Sequence, residues 1–182
     1  MADRAEVSAI LRKAVAGTRI TENEALTLLR DGELLELGAA ANAIRKRLND
    51  PKVVTYIVDR NINYTNVCVY KCKFCAFYRK PGDPEGYLLS KDELRAKIQE
   101  TIDLGGTGVL LQGGVHPDLP LEYYEDVLRW MREEFPDIHR HAFSAPEILF
   151  IARFTKKPLR EVMQRLIDAG LQSVPGGGAE IL

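Results

Sequence analysis

Residues 59–79 read DRNINYTNVCVYKCKFCAFYR and hold all three cysteines of the 182-residue chain, Cys68, Cys72 and Cys75. Their spacing, C-x3-C-x2-C, puts three thiols on a turn too short to fold by itself. Thiolates gathered in this way make a site for a metal or cluster, and cysteine is the usual protein ligand of iron–sulfur clusters. A ferredoxin-type run, C-x2-C-x2-C-x3-C, carries a fourth cysteine, and this chain has none. A cubane cluster held by three cysteines keeps one iron open to a small molecule. Two other chemistries use clustered cysteines. A structural zinc site is closed by four protein ligands, here Cys68, Cys72, Cys75 and His116, although zinc cysteines usually come as C-x2-4-C pairs. A disulfide framework fits poorly, because three is an odd number and one bridge across so short a segment would staple almost nothing.

Upstream of this stretch, residues 1–50 read as helices. Glu6 to Ala16 is stopped by Gly17. Thr21 and Glu24 form a T-x-x-E capping-box pattern ahead of Ala25, Leu28 and Leu29, and Gly32 ends that segment. Leu34, Leu37, Ala41, Ile44 and Leu48 then recur at helical spacing until Asn49, Asp50 and Pro51. This predicts a helical cap over 1–50 and a main domain over 51–182. From Val53 the period changes. Val53 to Val58 is β-branched and aromatic and predicts a strand leading into the cysteines.

Three repeats of helix then strand follow. Ser90 and Glu93 make a second capping box before the stripe Leu94, Ile98, Ile102. Gly108 to Gln112, GVLLQ, reads as a buried strand. Leu121, Tyr124, Leu128, Met131 and Phe135 mark a helix, and Ile138 to Ser144 alternates as a strand. Pro158 sits at a helix start before Val162, Leu166 and Ala169, and Leu171 to Val174 reads as a fourth strand. Alternating elements of this kind predict an α/β fold of about four βα units with a parallel sheet and right-handed crossovers. Sites in βα barrels gather at the carboxyl ends of strands. Here those ends carry the cysteines, then Gln112-Gly113-Gly114, then Ser144-Ala145-Pro146-Glu147, then Pro175-Gly176-Gly177-Gly178.

The cysteine motif, with Phe74 just before its last cysteine, resembles that of the radical S-adenosylmethionine superfamily. Longer strings, RNINYTNVCVYKCKFCAFYR, LLQGGVHPDLPLEYYEDVLR, FSAPEI and VPGGGAEIL, resemble the cyclic dehypoxanthinyl futalosine synthases of the futalosine route to menaquinone. The resemblance runs from about Thr21 to the last residue. It implies a partial (β/α) barrel of radical SAM type and a [4Fe–4S] cluster on Cys68, Cys72 and Cys75. The open iron would chelate the amino and carboxylate groups of S-adenosyl-L-methionine. It implies oxidoreductase chemistry in which the reduced cluster cleaves that cofactor. The 5′-deoxyadenosyl radical then takes a hydrogen from the ribose of dehypoxanthine futalosine, which cyclises. An electron donor such as flavodoxin or ferredoxin would reduce the cluster. The family uses a six-stranded partial barrel plus a C-terminal segment, so this chain is expected to correspond to the N-terminal half of the enzyme and to be weak or inactive alone. Sister enzymes, aminofutalosine synthase and a subunit of the deazaflavin-chromophore synthase, share N-x-T-N-x-C and C-x-F-C-A-F. NINYTN and QGGVHPDL favour the cyclase. A non-catalytic zinc-binding module and an inactive fragment are the readings from other classes.

Individual residues carry competing expectations. The resemblance places Phe74 near the cofactor adenine; core packing is its plain alternative. Gln112-Gly113-Gly114 resembles the superfamily's GGE-type motif, in which bare backbone lets the methionine amino group approach. Val115 stands here where that motif has Glu. Ser144 and Glu147 are candidates for the cofactor ribose or the substrate, with helix capping as the alternative. His116 is a candidate substrate contact or proton acceptor, set against an ordinary polar role; His139 and His141 read as structural. Gly176 to Gly178 could admit a ligand to the backbone and Glu180 could hydrogen-bond it, with a simple loop as the alternative. The polar run Asn61, Asn63, Tyr64, Thr65, Asn66 needs partners if buried and is expected to support the cluster loop. Tyr78 and Arg79 are candidates to face cofactor or substrate.

Composition bounds the rest. With 25 Lys and Arg against 26 Asp and Glu, net charge is −1, so there is no electrostatic case for nucleic acid. The N-terminus MADRAEVSAI shows no cleavage signal. No stretch approaches the roughly 20 apolar residues of a membrane span. Reduced, clustered cysteines suit a cytoplasm.

Overall fold

The computed structural model describes residues 3–177; Gly178 and Glu180 lie outside them. The chain divides into two compact units, residues 1–56 and 57–182.

In the first unit, Asp3 caps α1 (Arg4–Val15) by accepting from Ala5 N–H, and Gly17 turns the chain at a φ of 94°. Thr21 and Glu24 close the expected capping box on α2 (Glu22–Asp31), and Gly32 is its C-cap. α3 spans Leu34–Leu48. A small cluster of Val7, Ile10 and Leu28 joins α1 to α2, and the partly buried Leu37 of α3 packs against it. The ion pair Lys13–Glu24 (2.7 Å) links α1 to α2.

Among the described residues the second unit is built on three parallel strands in the order β1 (Asp59–Asn63), β2 (Gly108–Gln112), β3 (His139–Ala142). Register places Ile62 beside Leu111 and Leu111 beside Ala142, and these side chains lie in the core. The helices are α4 (Lys91–Asp103), α5 (Leu121–Glu134), α6 (Ala145–Thr155) and α7 (Leu159–Ala169). They contribute Leu94, Ile98, Leu121, Tyr124, Leu128, Met131, Ile148, Ile151, Val162 and Leu166 to the same core. The stripes read from sequence on α5 and α7 are thus the buried faces; on α4, Leu94 and Ile98 are buried, but Ile102 is exposed and its neighbour Thr101 is buried instead. α5 and α7 are further tied by the Arg165–Glu125 ion pair, in which Glu125 is buried. Among the described residues no helix is long and apolar enough to cross a membrane.

Two expected strands differ. Val53 to Val58 forms no strand: Val54, Tyr56 and Ile57 are exposed, and β1 begins at Asp59. β-propensity expresses a fit to a neighbouring pleated surface, and pairing with β2 begins only at Asp59–Gly108. Leu171 to Val174 contributes one parallel bridge, Ser173 to His141, with Ala142 N–H donating to Ser173 O at 3.0 Å. β3 is also shorter than Ile138 to Ser144. Its alternation breaks at Phe143, which takes a left-handed φ of 55° and turns into the core at 1 % exposure. That turn launches α6.

Ser90 and Glu93 close the second capping box, at the start of α4. Replacing Ser90 by alanine should cost about 1 kcal/mol, a fall of roughly 2–4 °C in the thermal midpoint for a chain of this size. A thermal melt checks it. An unchanged midpoint would show the cap to be dispensable.

Candidate functional site

Because β1, β2 and β3 are parallel, the segments that follow them leave on one side. They enclose a cleft of about 320 Å³. Its lining includes Cys68, Cys72, Cys75, Phe74, Tyr78, Gln112, Gly113, Gly114, Ser144 and Glu147. His116 and Arg79 are not among the lining residues.

The cysteine loop hangs from a closed base. Arg79 N–H donates to Asn66 O at 2.8 Å and Cys68 N–H to Arg79 O at 2.9 Å, so residues 68–79 leave and return at one point. Cys75 N–H donates to Cys72 O at 3.1 Å and forms the turn between the last two thiols. All three cysteines are free; Cys72 is exposed and the other two are half-buried. Phe74 is 90 % exposed, so it packs in no core and borders the cleft from its open side.

The polar run before the cysteines finds its partners in a strap formed by residues 85–89. Thr65 Oγ1 donates to Tyr87 O, Asn66 Nδ2 to Glu85 O at 3.0 Å, and Tyr87 N–H to Asn66 Oδ1 at 2.8 Å. Leu89 N–H donates to Tyr64 O at 2.8 Å. Arg79 is turned to Glu85 (2.7 Å) in the same strap. Tyr70 and Tyr87 also line the cleft. Neither stood out in the sequence, because nothing in a lone tyrosine predicts a contact with a loop many residues away.

The glycine pair lies flush on the residues before Cys68. A Cβ on Gly113 would sit 2.9 Å from Tyr64 Cε1, and one on Gly114 would sit 2.2 Å from Val67 O. Gly114 N–H donates to Thr65 O at 2.8 Å and Val69 N–H to Val115 O at 2.9 Å, which continues the β1–β2 pairing past the sheet. Val115, where the related motif has Glu, is buried.

Glu147 is 2 % exposed. Its Oε1 accepts from Tyr64 OH at 2.7 Å and from Gly113 N–H at 3.2 Å, and its Oε2 from Ser144 N–H at 2.8 Å and Ser144 Oγ at 2.6 Å. Burial pushes this carboxyl above its usual range, while those donors pull in the opposite direction. Beneath it, Tyr64, Tyr124 and Phe143 pack edge to face at 5.1–6.3 Å. Burial, with the Glu147 charge next, holds the Tyr64 phenol well above its ordinary value; burial raises Tyr124 and pushes Tyr123 up to about 12. The neutral phenols therefore stabilise the fold fully below the unfolded pKa of about 10, and this contribution is lost as pH rises through the folded values. In an alkaline titration these three phenols should ionise only as the protein unfolds. Phenolate absorbance from all seven tyrosines with the circular-dichroism signal intact would contradict this.

His116 Nδ1 accepts from Asp118 N–H at 3.1 Å, which makes a local turn, and burial pulls its pKa below the usual imidazole value. Among the described residues no three or more His, Cys, Asp or Glu side chains are grouped to hold one metal ion. The three cysteines, with or without His116, are therefore not drawn together into a closed ligand set in this structure. His139 and His141 share the hydroxyl of Ser173, at 2.8 and 2.6 Å, away from this cleft.

The profile of the radical SAM superfamily matches residues 62–181. The chain is 47 % identical over 176 residues to a cyclic dehypoxanthine futalosine synthase of Halalkalibacterium halodurans, covering 97 % of this chain and 48 % of that protein. It is 46 % identical to one of Streptomyces coelicolor, covering 100 % of this chain and 46 % of that protein. An FO synthase of Streptomyces coelicolor is 44 % identical over 91 % of this chain and 19 % of its own length. A solved structure of HydG, a maturase of the [FeFe]-hydrogenase, superposes with a TM-score of 0.63 at 18 % identity, over 95 % of this chain and 46 % of that one, a likeness of fold. The chain spans about half the length of the futalosine synthases it matches. With the superfamily profile covering more than half of its residues and the thiols, glycine pair and parallel strands arranged as described, the chain belongs to the radical SAM superfamily.

Proposed function

We propose that this chain carries the cluster- and cofactor-binding part of an enzyme that cyclises dehypoxanthine futalosine in menaquinone synthesis. The observation that carries the reading is the meeting, in one cleft, of three free thiols and a glycine pair with no room for side chains. The substrate comes from the identity to the two futalosine synthases.

Superfamily members use a [4Fe–4S] cluster with S-adenosylmethionine, and the residues fit both. The donor set is three free thiols that line one cleft, which suits a cubane that keeps one iron for the cofactor. Bound together, cluster and cofactor supply one-electron cleavage of a carbon–sulfur bond and hydrogen-atom abstraction. The protein's part is binding, orientation and exclusion of competitors. Cys68, Cys72 and Cys75 would hold the cluster on a loop whose base is closed by backbone hydrogen bonds. The amides of Gly113 and Gly114 are both spent inside the protein, so the backbone groups the pair keeps for a ligand are its carbonyl oxygens, acceptors suited to an ammonium group. Phe74 and Tyr78 provide flat apolar surface for an adenine. Gln112 and Ser144 are the polar groups beside it. His116, outside the lining, has no assigned step.

The electron comes from a small redox protein such as flavodoxin or ferredoxin, and the setting is the cytoplasm, where thiols stay reduced. Deazaflavin-chromophore chemistry is the second reading, favoured by the FO synthase identity. Anaerobic turnover by a protein extended to the length of the relatives separates the two. Cyclised product from dehypoxanthine futalosine, with none from tyrosine, is expected. Turnover of tyrosine alone would overturn the reading in favour of the second.

A further inference from the structure

We propose that Glu147 is a positioning residue: its buried carboxylate ties the carboxyl ends of all three strands together and thereby fixes the orientation of the Gly113–Gly114 backbone that faces the cofactor. This rests on the reading of the cleft as the S-adenosylmethionine site.

The geometry is specific. Tyr64 follows β1, Gly113 follows β2 and Ser144 follows β3, and each donates to this one carboxylate. Glu147 itself sits in the first turn of α6, so the helix is locked to the strand ends by the same group. Its oxygens accept four hydrogen bonds, which fills the capacity of an ionised carboxylate. Glu147 therefore borders the cleft without a lone pair to offer a ligand, and it acts through the peptide it holds. With the Gly113 N–H turned to Glu147 and the Gly114 N–H turned to Thr65 O, the peptide planes of the pair are set from two sides.

The chain also accepts strain to reach this arrangement. Phe143, one residue before Ser144, is held at a positive φ that non-glycine residues rarely adopt. Such backbone strain persists where the surroundings over-determine it and is concentrated at functional sites. Edge-to-face contacts with Tyr64 and Tyr124 and a hydrogen bond from Phe143 N–H to Leu111 O (2.9 Å) do so here. A helix cap alone needs neither the strained turn nor the partners from β1 and β2, since capping boxes at Ser90 and Thr21 form without them.

The test uses Glu147→Gln, which keeps size but places an amide donor among donors, with Glu147→Asp as a second variant that keeps the charge and shortens the reach. Two readings are taken on each folded variant. In the metal-free protein, amide hydrogen exchange at Gly113 should accelerate at least tenfold in Glu147→Gln while the amides of α5 and α7 keep their rates. In the cluster-loaded protein, iron and sulfide content should equal the parent's, while S-adenosylmethionine binding, followed by its effect on the reduced cluster's electron paramagnetic resonance, weakens at least tenfold. Glu147→Asp should show both effects in the same direction. A variant that binds the cofactor within twofold of the parent, or whose exchange rises evenly across the core, would overturn the positioning role. A cluster-loaded parent that binds no S-adenosylmethionine would instead sink the reading of the cleft, and this inference with it.

Discussion

Cys72→Ala protein, reconstituted with iron and sulfide in the absence of oxygen, should hold less than about one iron per chain where the parent holds about four. Cys72 is the exposed thiol of the three, on a loop closed at its base by backbone bonds between Cys68, Arg79 and Asn66. Its side chain carries no packing, so the metal-free variant should unfold within about 0.5 kcal/mol of the parent, as exposed substitutions usually do. The loss is then a loss of ligand rather than of fold: two thiolates remain for a cubane that leaves only one of its irons to a small molecule. His116→Ala is the companion. Its imidazole makes a local turn with Asp118 and does not line the cleft, so iron content should be unchanged. A fall in metal content in His116→Ala equal to that in Cys72→Ala, with zinc as the metal bound, would favour the four-ligand zinc module.

Gly114→Ala should lower the thermal midpoint by roughly 2–12 °C, from about 1–3 kcal/mol of overpacking at roughly 2–4 °C per kcal/mol. The new Cβ would lie 2.2 Å from Val67 O and 2.7 Å from Val67 C. Neither can move freely, because Gly114 N–H to Thr65 O and Val69 N–H to Val115 O pin both sides of the contact. The two segments must separate, and the segment that moves ends at Cys68. S-adenosylmethionine affinity should therefore fall at least about tenfold, the equivalent of 1.4 kcal/mol of misplaced contact. Gly38→Ala in α3 is the control: no side chain or distant backbone atom lies within 4 Å of its Cβ, and it should match the parent's affinity without lowering the midpoint. A Gly114→Ala protein with parental melting and parental affinity would show that the glycine pair is an ordinary turn.

Features encoded within a few residues were legible in advance. The Thr21–Glu24 and Ser90–Glu93 boxes, the strand Gly108–Gln112 and the stripes of α5 and α7 all form as read, and the α4 stripe does so at Leu94 and Ile98 but not at Ile102. So does the convergence of the cysteines and the Gln112-Gly113-Gly114 end on one cleft, because parallel strands deliver their carboxyl ends to one side. What could not be read depends on partners distant in sequence. Val53 to Val58 has strand composition, but the pairing with β2 starts one residue after it, at Asp59. Ser144 and Glu147 were ambiguous between ligand and cap. They do make the cap, yet the same carboxylate also binds groups 83 and 34 residues away, and no local pattern announces that. The left-handed turn at Phe143 is equally silent, since a buried aromatic residue gives no hint of positive φ.

The most direct test of the account is an electron paramagnetic resonance spectrum of the dithionite-reduced, anaerobically reconstituted chain, recorded before and after adding S-adenosylmethionine. The account predicts a [4Fe–4S] signal whose g values shift on addition, because three protein thiolates leave one iron for the cofactor. A protein that binds stoichiometric zinc in place of iron, or a cluster whose spectrum does not respond to the cofactor, would contradict it.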